Sequence, residues 1–474
     1  MITIAQNKGQ RALDRGKSWF LAGVVFLILW GVKDFRLWYM AGAAFLLIFA
    51  ACREKSRLQV PWLLEIVPVL SVCSYSVAMF YLRNSRFVNN STEDALFTET
   101  IWLGLIGSAC FSFCALWMIH VLIPRGQTLV VSLQSEPMPM RLLLQLYVFG
   151  LLLNLVVGRF VPVSLRVVVI SFGDIEAIAL AIILFQSMSE IPGFGRTQAR
   201  WALAGIVFWT LRKVADSLFG GAGVTLLCLS CLFSRWLRPA WAVLGLAFLM
   251  IFAPLIQGVK RDIRSAEAEE RESVVKVFKR NFDRIILGGD WDAYWRGVDQ
   301  FFDRVNNTEI LSMIKKNMDA RKNYAYGSTL KDSIFWSLIP RALYKDKPQT
   351  GGASGLAREY ADMVIGEETS VGVGPISEFY INEGFQGVIL GMSIMGVLYG
   401  YVLHRMFAHP IQPMGFVFGA LTYACVARPE TNLADSFGGA LRVWVVWVVL
   451  CYFLRRQHRS RGANGAALYN TAPQ

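Results

Sequence analysis

Charge is scarce in this chain. Only 17% of its 474 residues are Asp, Glu, Lys or Arg, while 55% are hydrophobic. A soluble domain carries about 25% charged residues and has no core large enough to hide so many apolar ones. Cysteine is missing where a framework would need it. Cys73, Cys110, Cys114, Cys228, Cys231, Cys425 and Cys451 lie in apolar runs and Cys52 ends one, so the one large polar stretch has none. That excludes a disulfide-stapled domain there. The Cys228-x-x-Cys231 pair sits in VTLLCLSCLF with no histidine nearby, which reads as a buried helix face rather than a zinc or redox site.

What the chain has instead is a series of apolar runs of about 15 to 25 residues bracketed by Lys and Arg, the pattern of transmembrane helices. Twelve segments are expected, at approximately 18–33, 37–52, 58–82, 98–123, 142–158, 173–190, 200–212, 217–233, 239–258, 387–406, 413–427 and 440–455. The expected fold is an all-α polytopic membrane protein in three parts. These are a membrane bundle of about nine helices over 1–258, a large helical loop over 259–386, and about three further helices with a basic tail over 387–474. The first run lacks a small-residue cleavage site and reads as a retained helix. The net charge of +13 is explained by basic clusters flanking apolar runs, so no nucleic-acid partner is expected.

The short loops settle an expected orientation. With the N-terminus inside, the inner loops collect about 18 Lys and Arg and the outer ones, Arg212 among them, about 9, as the positive-inside rule demands. Both termini are then cytoplasmic and the large loop lies outside. The loop reads as ordered. A charged helix-forming stretch stops at Gly288-Gly289, DWDAYWRGVDQFFDRV has helical spacing, and DSIFWSLIPRALY is apolar but too short to span. That third stretch suits the outer membrane–water boundary.

Asp290-Trp291-Asp292 matches a metal–nucleotide-sugar DxD pattern, but two carboxylates opening a helix are ordinary capping. The four histidines, His120, His404, His409 and His458, all fall on the expected inner side. A reaction at the outer face would have to take its base from a carboxylate or the substrate. The outer arginines Arg159, Arg166, Arg341 and Arg428 offer fixed cationic forks suited to phosphate oxygens. Glu65 is an intramembrane carboxylate that calls for a structural partner or a place on a substrate path. Glu378 and Glu383 stand where the chain re-enters the membrane, with Glu378 and Asn382 on one helical face.

The run Ile339-Pro340-Arg341, then Lys345-Asp346-Lys347-Pro348, then Glu378-x-Tyr380-x-Asn382-x-Gly384-x-x-Gly387 resembles the Wzy-type O-antigen and exopolysaccharide repeat-unit polymerases. The resemblance covers about 340–400 and departs at Tyr344-Lys345, where a tryptophan-proline or similar pair is common. It implies a GT-C-like, metal-independent membrane glycosyltransferase with no cofactor. Its donor and acceptor would be undecaprenyl-pyrophosphate-linked glycans at the periplasmic face of a bacterial inner membrane, with membrane lipid and a chain-length regulator as partners. On that resemblance Glu378 is the first choice of base, and Arg341 and Arg428 steady the leaving pyrophosphate. Arg159, Arg166, Lys345, Lys347, Tyr380, Asn382 and Glu383 bind substrate, with Glu383 alternatively holding Arg341 or Arg428. Rival readings are an O-antigen ligase-like transferase, against which the outer loop has no histidine, a lipid-linked glycan flippase or other transporter, and a non-catalytic assembly partner of a polysaccharide synthase.

Overall fold

A computed structural model of the chain describes residues 37–55, 58–59, 62–76, 91–124, 129–130, 138–157, 160, 175–189, 191–215, 228–233, 274–305, 307–339, 344, 353–364, 372–408, 412–427 and 431–469. Among these residues the fold is almost wholly helical. Helices α1 (Leu37–Lys55), α2 (Ile66–Ser76) and α3 (Ser91–Leu122) come first. Then follow α4 (Met140–Leu152), α5 (Ile175–Met188) and α6 (Arg196–Ala215). The polar region holds α7 (Val274–Phe282), α8 (Trp291–Val305), α9 (Asn307–Arg321), α10 (Ser328–Leu338) and α11 (Ala353–Ala361). The chain closes with α12 (Pro375–Phe407), α13 (Gln412–Val426) and α14 (Leu433–Tyr469). A two-residue parallel pairing of β1 (Leu58–Gln59) with β2 (Leu129–Val130) completes the described secondary structure.

The expected twelve-helix, GT-C-like architecture is corrected by this fold. Among the described residues three helices are long and apolar enough to cross a membrane: Ala95–Leu122, Pro375–Phe407 and Leu433–Tyr452. The stretches Leu63–Val72, Met140–Leu155, Ile175–Met188 and Met414–Val426 are apolar but only 10–17 residues long. The reason is geometric. Hydropathy reports a run of apolar residues, whereas spanning about 30 Å takes about 20 residues of unbroken helix. The α6 helix has the length, but Arg196, Arg200, Arg212 and Lys213 dilute its apolar character. The expected segments at 18–33 and 239–258, and most of 217–233, lie outside the described residues.

The core is built on α3 and α12, which pack side by side and run in the same direction: Gly107 meets Val388, Phe111 meets Gly396 and Ala115 meets Gly400. Gly396-x-x-x-Gly400 is a small-residue face of the kind that lets helix backbones touch. A Cβ at Gly396 would fall on the Phe111 carbonyl oxygen, and one at Gly400 would sit 2.5 Å from that of Ala115. The other face of α12 leaves Leu390, Ile394 and Leu398 exposed at a spacing of four, an apolar stripe suited to lipid.

A buried ion pair closes the α4–α5–α6 group. Arg212, which loop counting treated as an outer charge, donates from Nη2 to Glu176 Oε2 at 2.7 Å, and Asn154 Nδ2 donates to the same oxygen at 3.2 Å. Glu176 is fully buried, and both Glu176 Oε1 and Arg212 Nη1 lack a hydrogen-bond partner. Glu65 is likewise buried, at the end of a 3-10 turn, and Cys228 and Cys231 are packed into the core as thiols.

Candidate functional site

The motif at 378–387 occupies a helix that turns back on itself. Glu383 (φ −145°) and Gly384 (φ 60°, ψ −143°) leave helical geometry and divide α12 into a head, Pro375–Asn382, and a stalk from Phe385 onward. The head folds down along the stalk. The Phe379 carbonyl oxygen lies 2.5 Å from where a Gly387 Cβ would stand, and the Phe379 ring covers Gly391. Ile376 of the head and Val388 of the stalk both reach Gly107 of α3.

Each motif side chain then has an identifiable partner. Glu378 is 0% exposed. Its Oε1 accepts from Ser333 Oγ of α10 at 2.5 Å, and its Oε2 accepts from the Leu433 backbone N–H at 3.0 Å. That N–H opens α14, so the carboxylate sits at the positive end of a helix dipole. Asn432 caps the same helix end by accepting from Asp435 N at 2.8 Å. Asn382 donates to the Glu378 carbonyl at 2.7 Å and to Thr329 Oγ1 at 2.6 Å, and its Oδ1 accepts from Gly327 N at 2.9 Å. Tyr380 donates its hydroxyl to Asp319 Oδ1 at 2.6 Å. Asp319 also pairs with Lys315 at 2.5 Å, and Lys315 reaches Glu99 of α3 at 3.0 Å. Burial works against the Lys315 charge, but hydrogen bonds to Asp319 and Glu99 outweigh it and raise its pKa above the usual lysine value.

A tyrosine-bearing turn, residues 322–327, docks on the end of the head. Ala325 N donates to the Ile381 carbonyl at 2.9 Å and Tyr326 N to that of Asn382 at 3.1 Å. These bonds satisfy carbonyls that a helix end otherwise leaves open. They also hold Lys322 (φ 49°) and Tyr326 (φ 44°) in a conformation that bulky residues rarely adopt. Tyr326 nevertheless stays 69% exposed. The ring of Tyr324 meets those of Tyr326 and Tyr380 edge-on, each at 6.4 Å between centroids.

Of the residues the sequence singled out, Glu378, Tyr380, Asn382 and Glu383 come together here. The first three turn inward onto the partners named above, while Glu383 is exposed. Arg159, Arg166, Arg341, Lys345, Lys347 and Arg428 lie outside the described residues. Asp290 is a cap: its Oδ1 accepts from Ala293 N at 2.9 Å and its Oδ2 pairs with Arg284 at 3.3 Å. Among the described residues no three His, Cys, Asp or Glu side chains gather as a metal ion would need. The sequence reading passed over α9, which supplies Asp319 and Lys315. Its signal was Leu311, Ile314 and Met318, buried at helical spacing. The tyrosine turn had only the Tyr-x-Tyr-Gly punctuation of 324–327 to announce it.

Gly384 is a position at which backbone conformation and space both oppose a side chain. A side chain there adopts an unfavourable positive φ and stands 3.1 Å from the Tyr324 hydroxyl. Gly384→Ala is expected to cost about 1–3 kcal/mol, read as a lowered melting temperature of the detergent-purified chain. Gly355→Ala, where a Cβ meets open space, should leave that temperature almost unchanged.

No curated protein matches this chain, and no solved structure does. Residues 132–409 match the model of a family described as a domain of unknown function, DUF8712. The matched stretch holds the head, the tyrosine turn, α9 and α10, together with Asn154, Glu176 and Arg212. With more than half of its length matched, the chain belongs to the DUF8712 family.

Proposed function

We propose that the chain joins undecaprenyl-pyrophosphate-linked oligosaccharide repeat units into a surface polysaccharide, at the periplasmic face of a bacterial inner membrane that it crosses more than once. Both termini are cytoplasmic in this reading. The observation that carries it is the position of the Glu-x-Tyr-x-Asn-x-Gly-x-x-Gly motif. All of it gathers at one end of a helix apolar enough to span, under a strained turn whose Tyr326, Lys322 and neighbouring Glu383 stay open to solvent. Backbone strain held in place by several hydrogen bonds is characteristic of ligand-binding surfaces.

The reaction forms a bond from an acceptor sugar hydroxyl oxygen to the donor's anomeric carbon and breaks that carbon's bond to the pyrophosphate oxygen. The hydroxyl proton passes to a base and the electron pair leaves with the lipid pyrophosphate. Preorganised cations favour that developing charge, a role this reading gives to Arg341 and Arg428, with Arg159, Arg166, Lys345 and Lys347 as substrate-binding residues. Both oxygens of Glu378 already accept hydrogen bonds, which suits a positioning residue. Glu383 is the carboxylate open to a substrate hydroxyl, with Tyr380 and Asn382 fixing the turn beside it.

The test is a proteoliposome assay of the full-length chain with an undecaprenyl-pyrophosphate-linked repeat unit. Ladders of two or more units are expected, shortened by Arg341→Ala and by Glu383→Gln in protein that still elutes as a single species. Product that never exceeds one unit, or ladders unchanged in both variants, removes the reading.

A further inference from the structure

Three tyrosine rings lead from the interior of the head to its surface. Tyr380 is buried, Tyr324 is half-buried with its ring edge-on to Tyr380, and Tyr326, edge-on to Tyr324, is exposed. The outermost ring has a fixed base. Tyr326 N donates to the Asn382 carbonyl, and its two chain neighbours are pinned as well, Ala325 N to the Ile381 carbonyl and Gly327 N to Asn382 Oδ1. Tyr380 is steadied in turn by Asp319, which Lys315 ties to Glu99 of α3. A tyrosine that only marks the membrane–water boundary needs neither a left-handed backbone nor three anchors.

We propose, resting on the glycan reading above, that the face of the Tyr326 ring carries one neutral sugar ring of the substrate, beside Glu383. A pyranose has C–H bonds on its faces and hydroxyls around its rim, and tyrosine answers with an apolar ring face and a polar tip. Because Tyr326 is already held, little conformational freedom is lost when its face is covered. The formally charged side chains of the turn and the bend, residues 322–327 and 383–384, are Lys322 and Glu383, one of each sign and both exposed. Such a balance does not favour a charged headgroup, and it offers hydroxyls a donor and an acceptor. Contacts on both sides place Glu383 between the two tyrosines. The Asn382 carbonyl accepts from Tyr326 N, and a Cβ on Gly384 would stand 3.1 Å from the Tyr324 hydroxyl. A sugar on Tyr326 therefore lies next to the stretch of backbone that bears the exposed carboxylate.

The experiment is saturation-transfer NMR on the full-length chain in phosphatidylcholine nanodiscs, with the methyl glycosides of glucose, galactose and N-acetylglucosamine as probes. Transfer to at least one probe is expected, strongest at the C–H protons of one face. Tyr326→Phe and Tyr326→Trp should keep it, and Tyr326→Ala should lower it roughly fivefold. Absence of transfer to all three probes, or transfer that Tyr326→Ala leaves unchanged, overturns the proposal. So does capture of phosphatidylcholine by the photocrosslinker p-benzoylphenylalanine in place of Tyr326, because it puts the ring in the bilayer; Leu390, on the exposed stripe of the α12 stalk, is the positive control. Polymerisation is read separately in proteoliposomes. Transfer that depends on Tyr326 in a chain forming no ladders keeps the sugar contact and removes the polymerase. Ladders together with transfer indifferent to Tyr326→Ala keep the polymerase and remove the contact. Unchanged melting of Tyr326→Ala, whose ring is exposed, separates these results from misfolding.

Discussion

Glu378→Ala is expected to destabilise the chain by about 3 kcal/mol and to release α10 from the membrane helices. The carboxylate is the acceptor for two donors from different parts of the sequence, Ser333 Oγ and Leu433 N, and all three residues are buried. Truncation leaves both donors without an acceptor where no water replaces it. Each stranded buried group costs about 1–3 kcal/mol. Glu378→Gln is the informative companion. The amide keeps the volume and one acceptor oxygen, and the serine hydroxyl can rotate to accept from the amide nitrogen. Glutamine should therefore lose less than half as much. Melting of the detergent-purified chain measures the cost, and protease cleavage within 328–344 reports the release of α10. Ser333→Ala completes a double-mutant cycle. If it adds its full effect on top of Glu378→Ala, the hydrogen bond between them contributes nothing.

Arg212→Ala carries the other large penalty. It leaves Glu176, fully buried, without its cation and with a hydrogen bond from Asn154 to its carboxylate. Breaking a buried pair from one side costs about 3–5 kcal/mol, whereas replacing both partners by apolar groups is often neutral. Arg212→Ala should thus sharply lower the yield of monodisperse protein in detergent. The double variant Arg212→Met with Glu176→Leu should recover most of it. Failure of the double variant to recover would give the pair a task beyond packing, for which the unpartnered Glu176 Oε1 and Arg212 Nη1 supply the atoms.

Different parts of this molecule were legible in the sequence to different degrees. Side-chain spacing carried well over short distances. Glu378 and Asn382 do share a face, and the loop stretch at 291–305 is a helix. Partners distant in sequence did not show. Nothing near Glu378 announces that its oxygens belong to Ser333 and to the first turn of a helix that begins at Leu433. The membrane helices were overcounted because an apolar run does not show how much of it is unbroken helix: the run expected at 58–82 starts with a two-residue strand and a 3-10 turn before α2 begins at Ile66. Gly384 stood out as a motif position, but the sequence did not give its backbone conformation. Its backbone conformation is set by the tyrosine turn, which is tertiary information. Arg212 was counted as an outer charge because its partner, Glu176, opens an otherwise apolar segment and drew no notice.

The fold-back at Gly384 also sets a waterline. From Phe385 to Phe407 the stalk rises about 35 Å at 1.5 Å per residue, a little more than the hydrocarbon thickness of a bilayer. With the stalk spanning, the bend stands near the headgroups, and the descending head carries Phe379 to the level of Gly391, about 10 Å lower. Glu383 and Tyr326 then belong to an upper storey washed by solvent, while Glu378 and the first turn of α14 form a submerged one. A long amphiphile lying against the stalk would meet these storeys in a fixed order, its tail below and its polar end at the tyrosines.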